Sequence, residues 1–90
     1  MRVRLTLKAA RQIAEALDYI AERSPNGAAN VRRRLDELLD LLQTRPGIGP
    51  MTDRPGVRRL VVTPYPYLLD YRITGEELIV LRFRHGARHP

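Results

Sequence analysis

Polar and apolar residues change their rhythm several times along the chain. Over residues 2–6 they alternate, Arg2, Arg4 and Thr6 against Val3 and Leu5, which is the period of a short half-buried strand. Thr6 then stands where a helix N-cap is needed. From Leu7 to Arg23 the period lengthens. Ala10, Ile13, Leu17, Ile20 and Ala21 fall three and four apart on one helical face, with Arg11, Glu15, Asp18 and Glu22 turned outward. Ser24-Pro25 closes that helix and opens another, serine as cap and proline at the first helical position. The second predicted helix runs from about Pro25 or Ala28 to Thr44, on a stripe of Val31, Leu35, Leu38 and Leu42 that Leu39 and Leu41 broaden. Two amphipathic helices with almost no linker predict an antiparallel hairpin.

Residues 45–56 hold three prolines and three glycines, which predicts a surface loop without regular structure. Beyond it the chain reads as strands. Val57 to Thr63 is rich in β-branched residues, and Pro64-Tyr65-Pro66 forces a turn. Tyr67, Leu69, Tyr71 and Ile73 alternate with Leu68, Asp70 and Arg72; residues 74–77 reverse the chain; Leu78 to His85 is a last strand. Three short-linked strands predict an antiparallel meander. The expected fold is α+β, ordered β-α-α-β-β-β, an antiparallel sheet with the helical hairpin on one face. Residues 1–90 are expected to form a single domain.

Charge adds direction to this outline. The chain carries 16 Lys+Arg against 10 Asp+Glu, a net charge of +6, and its only lysine is Lys8. Residues 1–44 hold eight cations and six acids, whereas residues 45–90 hold eight arginines against Asp53, Asp70, Glu76 and Glu77. The excess therefore sits mainly in the loop-and-sheet half and favours a polyanionic or acidic partner. With no cysteine, a disulfide scaffold, a cysteine-based zinc site and a thiol nucleophile are excluded. No apolar stretch approaches the roughly 18 residues that span a bilayer, and the N-terminus lacks a signal-peptide core, so a cytoplasmic location without membrane contact is expected.

Candidate chemistry concentrates in the last strand. Strict alternation puts Ile79, Leu81, Phe83 and His85 on one face and Leu78, Val80, Arg82 and Arg84 on the other. Arg58 or Arg59, with Arg72, lies on neighbouring strands. One reading joins these arginines into a concave surface that grips phosphates or carboxylates; the other is a solvated face neutralised by Asp70 and the glutamates. Arg32-Arg33-Arg34 is better read as solvated helix surface, with Arg32–Asp36 and Arg33–Glu37 pairs four residues apart. His85 is suited to proton transfer, though a hydrogen-bonded structural histidine is the plainer reading. His85 and His89 find no third ligand, so neither a metal nor another cofactor is expected. Tyr65, Tyr67 and Tyr71 suit base stacking or core packing equally.

Taken together, these segments resemble the RelE/ParE toxins of bacterial type II toxin–antitoxin pairs. The likeness spans nearly the whole chain: the opening strand, DYIAERSPNGAANV in the helix pair, LLQTRPGIG, VRRLVVTPYPYLLDYRI and the ELIVLRFRHGARHP close. The resemblance implies a toxin in a hetero-oligomer with a cognate ParD-like or RelB-like antitoxin, whose extended, partly helical segment wraps the toxin. It implies partner-binding roles for Arg58, Arg59, Arg72, Arg82, Arg84 and Arg88. Family members either cut messenger RNA on the ribosome or inhibit DNA gyrase. The nuclease branches use lysines, a tyrosine near the C-terminus, or a histidine followed by tyrosine. Here Lys8 stands alone, no tyrosine follows Tyr71, and Gly86 follows His85. A nuclease would have to rest on His85, Arg82 and Arg84 as its catalytic set. The gyrase-inhibiting, non-enzymatic reading is therefore favoured over the mRNA endonuclease. A basic nucleic-acid-binding module without toxicity is the remaining alternative.

Overall fold

The computed structural model describes residues 1–87. Along the chain come β1 (Arg2–Leu5), α1 (Leu7–Arg23), α2 (Pro25–Thr44), one 3-10 turn (Pro46–Ile48), β2 (Val57–Val61), β3 (Tyr67–Thr74) and β4 (Glu77–His85). Both helices start where the sequence provides caps. Thr6 Oγ1 accepts the Ala9 amide at 3.1 Å, and Ser24 Oγ accepts that of Gly27 at 3.0 Å, each satisfying an orphan donor of the first turn. Ser24 alone separates the helices.

The sheet order is β1-β4-β3-β2. β2, β3 and β4 form the expected antiparallel meander, whereas β1 joins β4 in parallel. The parallel pair requires the long crossover that the helical hairpin supplies. The last strand departs from strict alternation. Asp70 opposes Arg82, but Tyr71 opposes Val80, so Leu81 is an extra residue at a bulge. The bulge reverses the phase. Leu78, Val80 and Phe83 consequently share the helix-facing side with His85, and the expected grouping of Leu78 and Val80 with Arg82 and Arg84 is wrong.

The core lies between this side and the helices. Val31, Leu35, Leu38 and Leu42 of α2 pack with Tyr67, Leu69, Tyr71, Leu78, Val80 and Phe83. Tyr67 stacks on Phe83 with ring centres 5.0 Å apart. On α1 the buried face is rotated from the expected one: Ala9 and Ile13 are buried, Ala16, Leu17 and Ile20 partly so, and Ala10 and Ala21 are exposed. The reason is α1's tie to β4, since Gln12 Oε1 accepts the Phe83 amide at 2.9 Å and turns that side of the helix to the sheet.

Two boundaries differ from expectation. β2 ends at Val61 rather than Thr63. Residues 45–56 are not wholly irregular, because the 3-10 turn is clasped by Tyr71: its hydroxyl donates to Pro46 O at 2.7 Å and accepts the Gly49 amide at 2.9 Å. A Cβ on Gly49 would sit 2.7 Å from that oxygen, so the clasp needs glycine there. In the arginine run, Arg32 pairs with Asp36 as expected, but Glu37 is taken by Arg34 at 3.1 Å, while Arg33 donates to Asn30.

Candidate functional site: the arginine face of the sheet

Strand register decides which cations share a face. Directly opposed residues lie on the same side of a sheet, and along each strand the sides alternate. The row Arg59, Asp70, Arg82 runs across β2, β3 and β4 on the side away from the core. Beside it runs Arg72, Ile79, Arg4, with Val57 completing the row. Arg84 opposes Leu68, and Arg2 opposes Glu77, on the same side. Arg2, Arg4, Arg59, Arg72, Arg82 and Arg84 thus occupy one face together with two carboxylates, Asp70 and Glu77.

Asp70 organises the centre of this face. Its carboxylate is 1% exposed, and Arg59 holds it with two hydrogen bonds, Nε to Oδ1 at 2.7 Å and Nη2 to Oδ2 at 3.1 Å. Arg82 Nε lies 3.6 Å from Oδ2 on the other side. The planar fork of Arg59 matches the carboxylate, as bidentate pairing requires. The hydrogen bond to Asp70 raises the Arg59 pKa above its ordinary value, against the opposing pull of burial. At the edge, Arg4 Nε meets Glu77 Oε1 at 3.3 Å. Both carboxylates of the face are thus already occupied. The side chains of Arg2, Arg72 and Arg84 have no partner among the described residues, and Arg84 Nε is shielded from solvent without an acceptor.

The remaining candidates fall elsewhere. Arg58 points to the core side and spends Nη1 on the Gly47 and Gly49 carbonyls, at 3.2 and 2.9 Å, fastening the 3-10 turn. Arg88 and His89 lie outside the described residues. His85 opposes Tyr67 on the helix side, with its ring edge-on to the tyrosine at 5.3 Å. Its Nδ1 accepts the Ala87 amide at 3.1 Å, which leaves the proton of the neutral ring on Nε2. His85 borders a cleft of about 380 Å³ between α1 and β4, lined by Gln12, Glu15, Tyr19, Tyr67 and Phe83, with Arg84 at the strand edge. The set His85, Arg82, Arg84 is therefore divided: the imidazole faces the helices, and the two arginines belong to the outer face.

Sequence reasoning missed Arg2 and Arg4 as members of this face. Their alternation with Val3 and Leu5 placed them together, but nothing local indicated that β1 would pair with β4. A second concavity, about 230 Å³ and mainly apolar, lies between the helices and is lined by Leu5, Ile13, Leu17, Leu35 and Leu39.

Comparisons with known proteins agree with one another. A family model described as the ParE toxin of the type II toxin–antitoxin system parDE matches residues 3–90. The chain is 35% identical over 89 residues to the Sinorhizobium fredii protein Y4kP, whose name marks it as a candidate toxin; the match covers 93% of this chain and 88% of that one. Among solved structures, a chain of the chromosomal ParDE TA system from P. aeruginosa superposes with a TM-score of 0.84 at 27% identity, covering 94% of this chain and 95% of its own.

Proposed function

Because the chain belongs to the ParE toxin family of type II toxin–antitoxin systems, we propose that it arrests growth by inhibiting DNA gyrase and is neutralised by a ParD-like antitoxin. The observation that carries the choice of target is the division of the candidate nuclease set. An RNase of this kind needs an arginine to stabilise the developing phosphate charge while a histidine moves a proton at the same phosphodiester. His85 lies on the opposite face of β4 from Arg82 and Arg84, and Arg82 is held beside Asp70. A gyrase inhibitor requires only a surface.

In this reading the groove between α1 and α2 takes the apolar side of an antitoxin helix, in the helix-in-groove manner. Arg59, Arg72, Arg82 and Arg84 form the surface offered to a polyanionic partner. Plasmid recovered from cells induced for this chain should be relaxed, with message ends unaltered, and co-expressed antitoxin should restore supercoiling. Normal supercoiling together with newly cleaved messages would transfer the activity to the ribosome.

A further inference from the structure

We propose that the outer face of the sheet is a binding site for the phosphate backbone of double-stranded DNA, contacted without regard to sequence. The inference rests on the reading of that face as a polyanion surface and names the polyanion.

Four observations lead there. The first is composition by face: six arginines project from the side of the sheet opposite the core, and its two carboxylates are already engaged by Arg59, Arg82 and Arg4. What remains to meet a ligand is uniformly positive. The second is width. Arg2 and Arg4 on β1 stand three interstrand steps from Arg59 on β2, roughly 14 Å at about 4.8 Å per step. That span is close to the roughly 12 Å width of the major groove of B-form DNA, whose two edges are lines of phosphates.

The third observation is spacing along the strands. Arg2 and Arg4, and again Arg82 and Arg84, are two residues apart on one face, about 6.6 Å in extended chain. Each pair can therefore follow successive phosphates of one strand. The fourth concerns aromatic residues. Tyr67, Tyr71 and Phe83 face the core, Tyr19 is on α1, and Tyr65 is in the turn before β3. A face without aromatics lacks the stacking platforms that give the usual grip on unpaired single strands. A-form RNA presents a major groove too deep and narrow to admit a sheet.

The test uses the full chain without gyrase, so that gyrase inhibition and DNA contact are judged separately. Binding is followed by fluorescence anisotropy with a 30-base-pair duplex, a single strand of equal length and a polyglutamate peptide, across a salt series. The duplex should bind most tightly, with log K falling against log salt at a slope of roughly −3 to −4 for three or four neutralised phosphates. Arg72→Gln with Arg84→Gln should weaken duplex binding at least about tenfold and flatten the slope by roughly two. Arg11→Gln with Arg33→Gln, an equal loss of charge on the helices, should change affinity less than about twofold. Equal losses in the two double variants would mean that bulk charge alone is at work and would overturn the site. Tighter binding of the single strand would overturn the duplex assignment. Polyglutamate binding through Arg72 and Arg84 without duplex binding would sink this inference and leave the polyanion surface standing, whereas no binding of any probe would remove both.

Discussion

Arg84 and His85 are consecutive in β4 and lie on opposite faces of the sheet, Arg84 across from Leu68 on the outer side and His85 across from Tyr67 on the helix side. Adjacent strand residues diverge in this way, so the two side chains leave β4 on opposite sides even though both residues border the cleft between α1 and β4. The bulge at Leu81 determines which of the two turns inward.

A gyrase-inhibiting surface of the kind proposed has no use for the imidazole. His85→Ala should leave growth arrest on induction within about twofold of wild type in dilution plating. Loss of arrest in a variant that still unfolds cooperatively would show that His85 takes part in the activity.

Unequal geometry around Asp70 predicts unequal costs. Arg59→Gln leaves a carboxylate that is 1% exposed with only the 3.6 Å contact to Arg82, and should cost about 3 kcal/mol or more in urea unfolding. Arg82→Gln leaves the two short bonds from Arg59 in place and should cost about 1 kcal/mol or less. The reverse order would contradict Arg59 as the principal partner.

The Tyr71 clasp predicts coupling. Tyr71→Phe leaves the buried Gly49 amide and the half-buried Pro46 carbonyl without their partner, for about 1–3 kcal/mol. Gly49→Ala, which brings a methyl group against the hydroxyl, should destabilise the wild type more than it destabilises Tyr71→Phe, giving a nonzero interaction term in a double-mutant cycle. Strictly additive costs would argue against the clasp.

Leu81 can be tested by removal. Deleting it would make Val80 and Arg82 neighbours, so that strict alternation would keep Val80 and Phe83 inward and Arg82 and Arg84 outward. The variant should keep a cooperative thermal transition, and loss of that transition would show that Leu81 does more than set the phase of β4.

Local pattern made most of this fold legible. Thr6 and Ser24-Pro25 announced both helix starts, and the stripe Val31, Leu35, Leu38, Leu42 marked the buried side of α2 before any packing was known. What stayed hidden depended on distant partners. Ala10 and Ala9 are equally plausible inward residues until Gln12 bonds Phe83 and orients α1. A bulge leaves no sign in a strand as apolar as Leu78 to Leu81, so the inward side of β4 could not be assigned. Arg58 and Arg59 were interchangeable in sequence, and only pairing with Tyr71 and Asp70 sent one to the 3-10 turn and the other to the outer face.

The most direct measurement is a supercoiling assay with purified gyrase, relaxed plasmid and ATP, run beside a cell-free translation reaction in which message ends are mapped. The wild-type chain and His85→Ala should both block supercoiling and leave ribosome-bound messages intact, and the cognate antitoxin should reverse the block. Unimpeded supercoiling, with message cleavage that disappears in His85→Ala, would contradict the account.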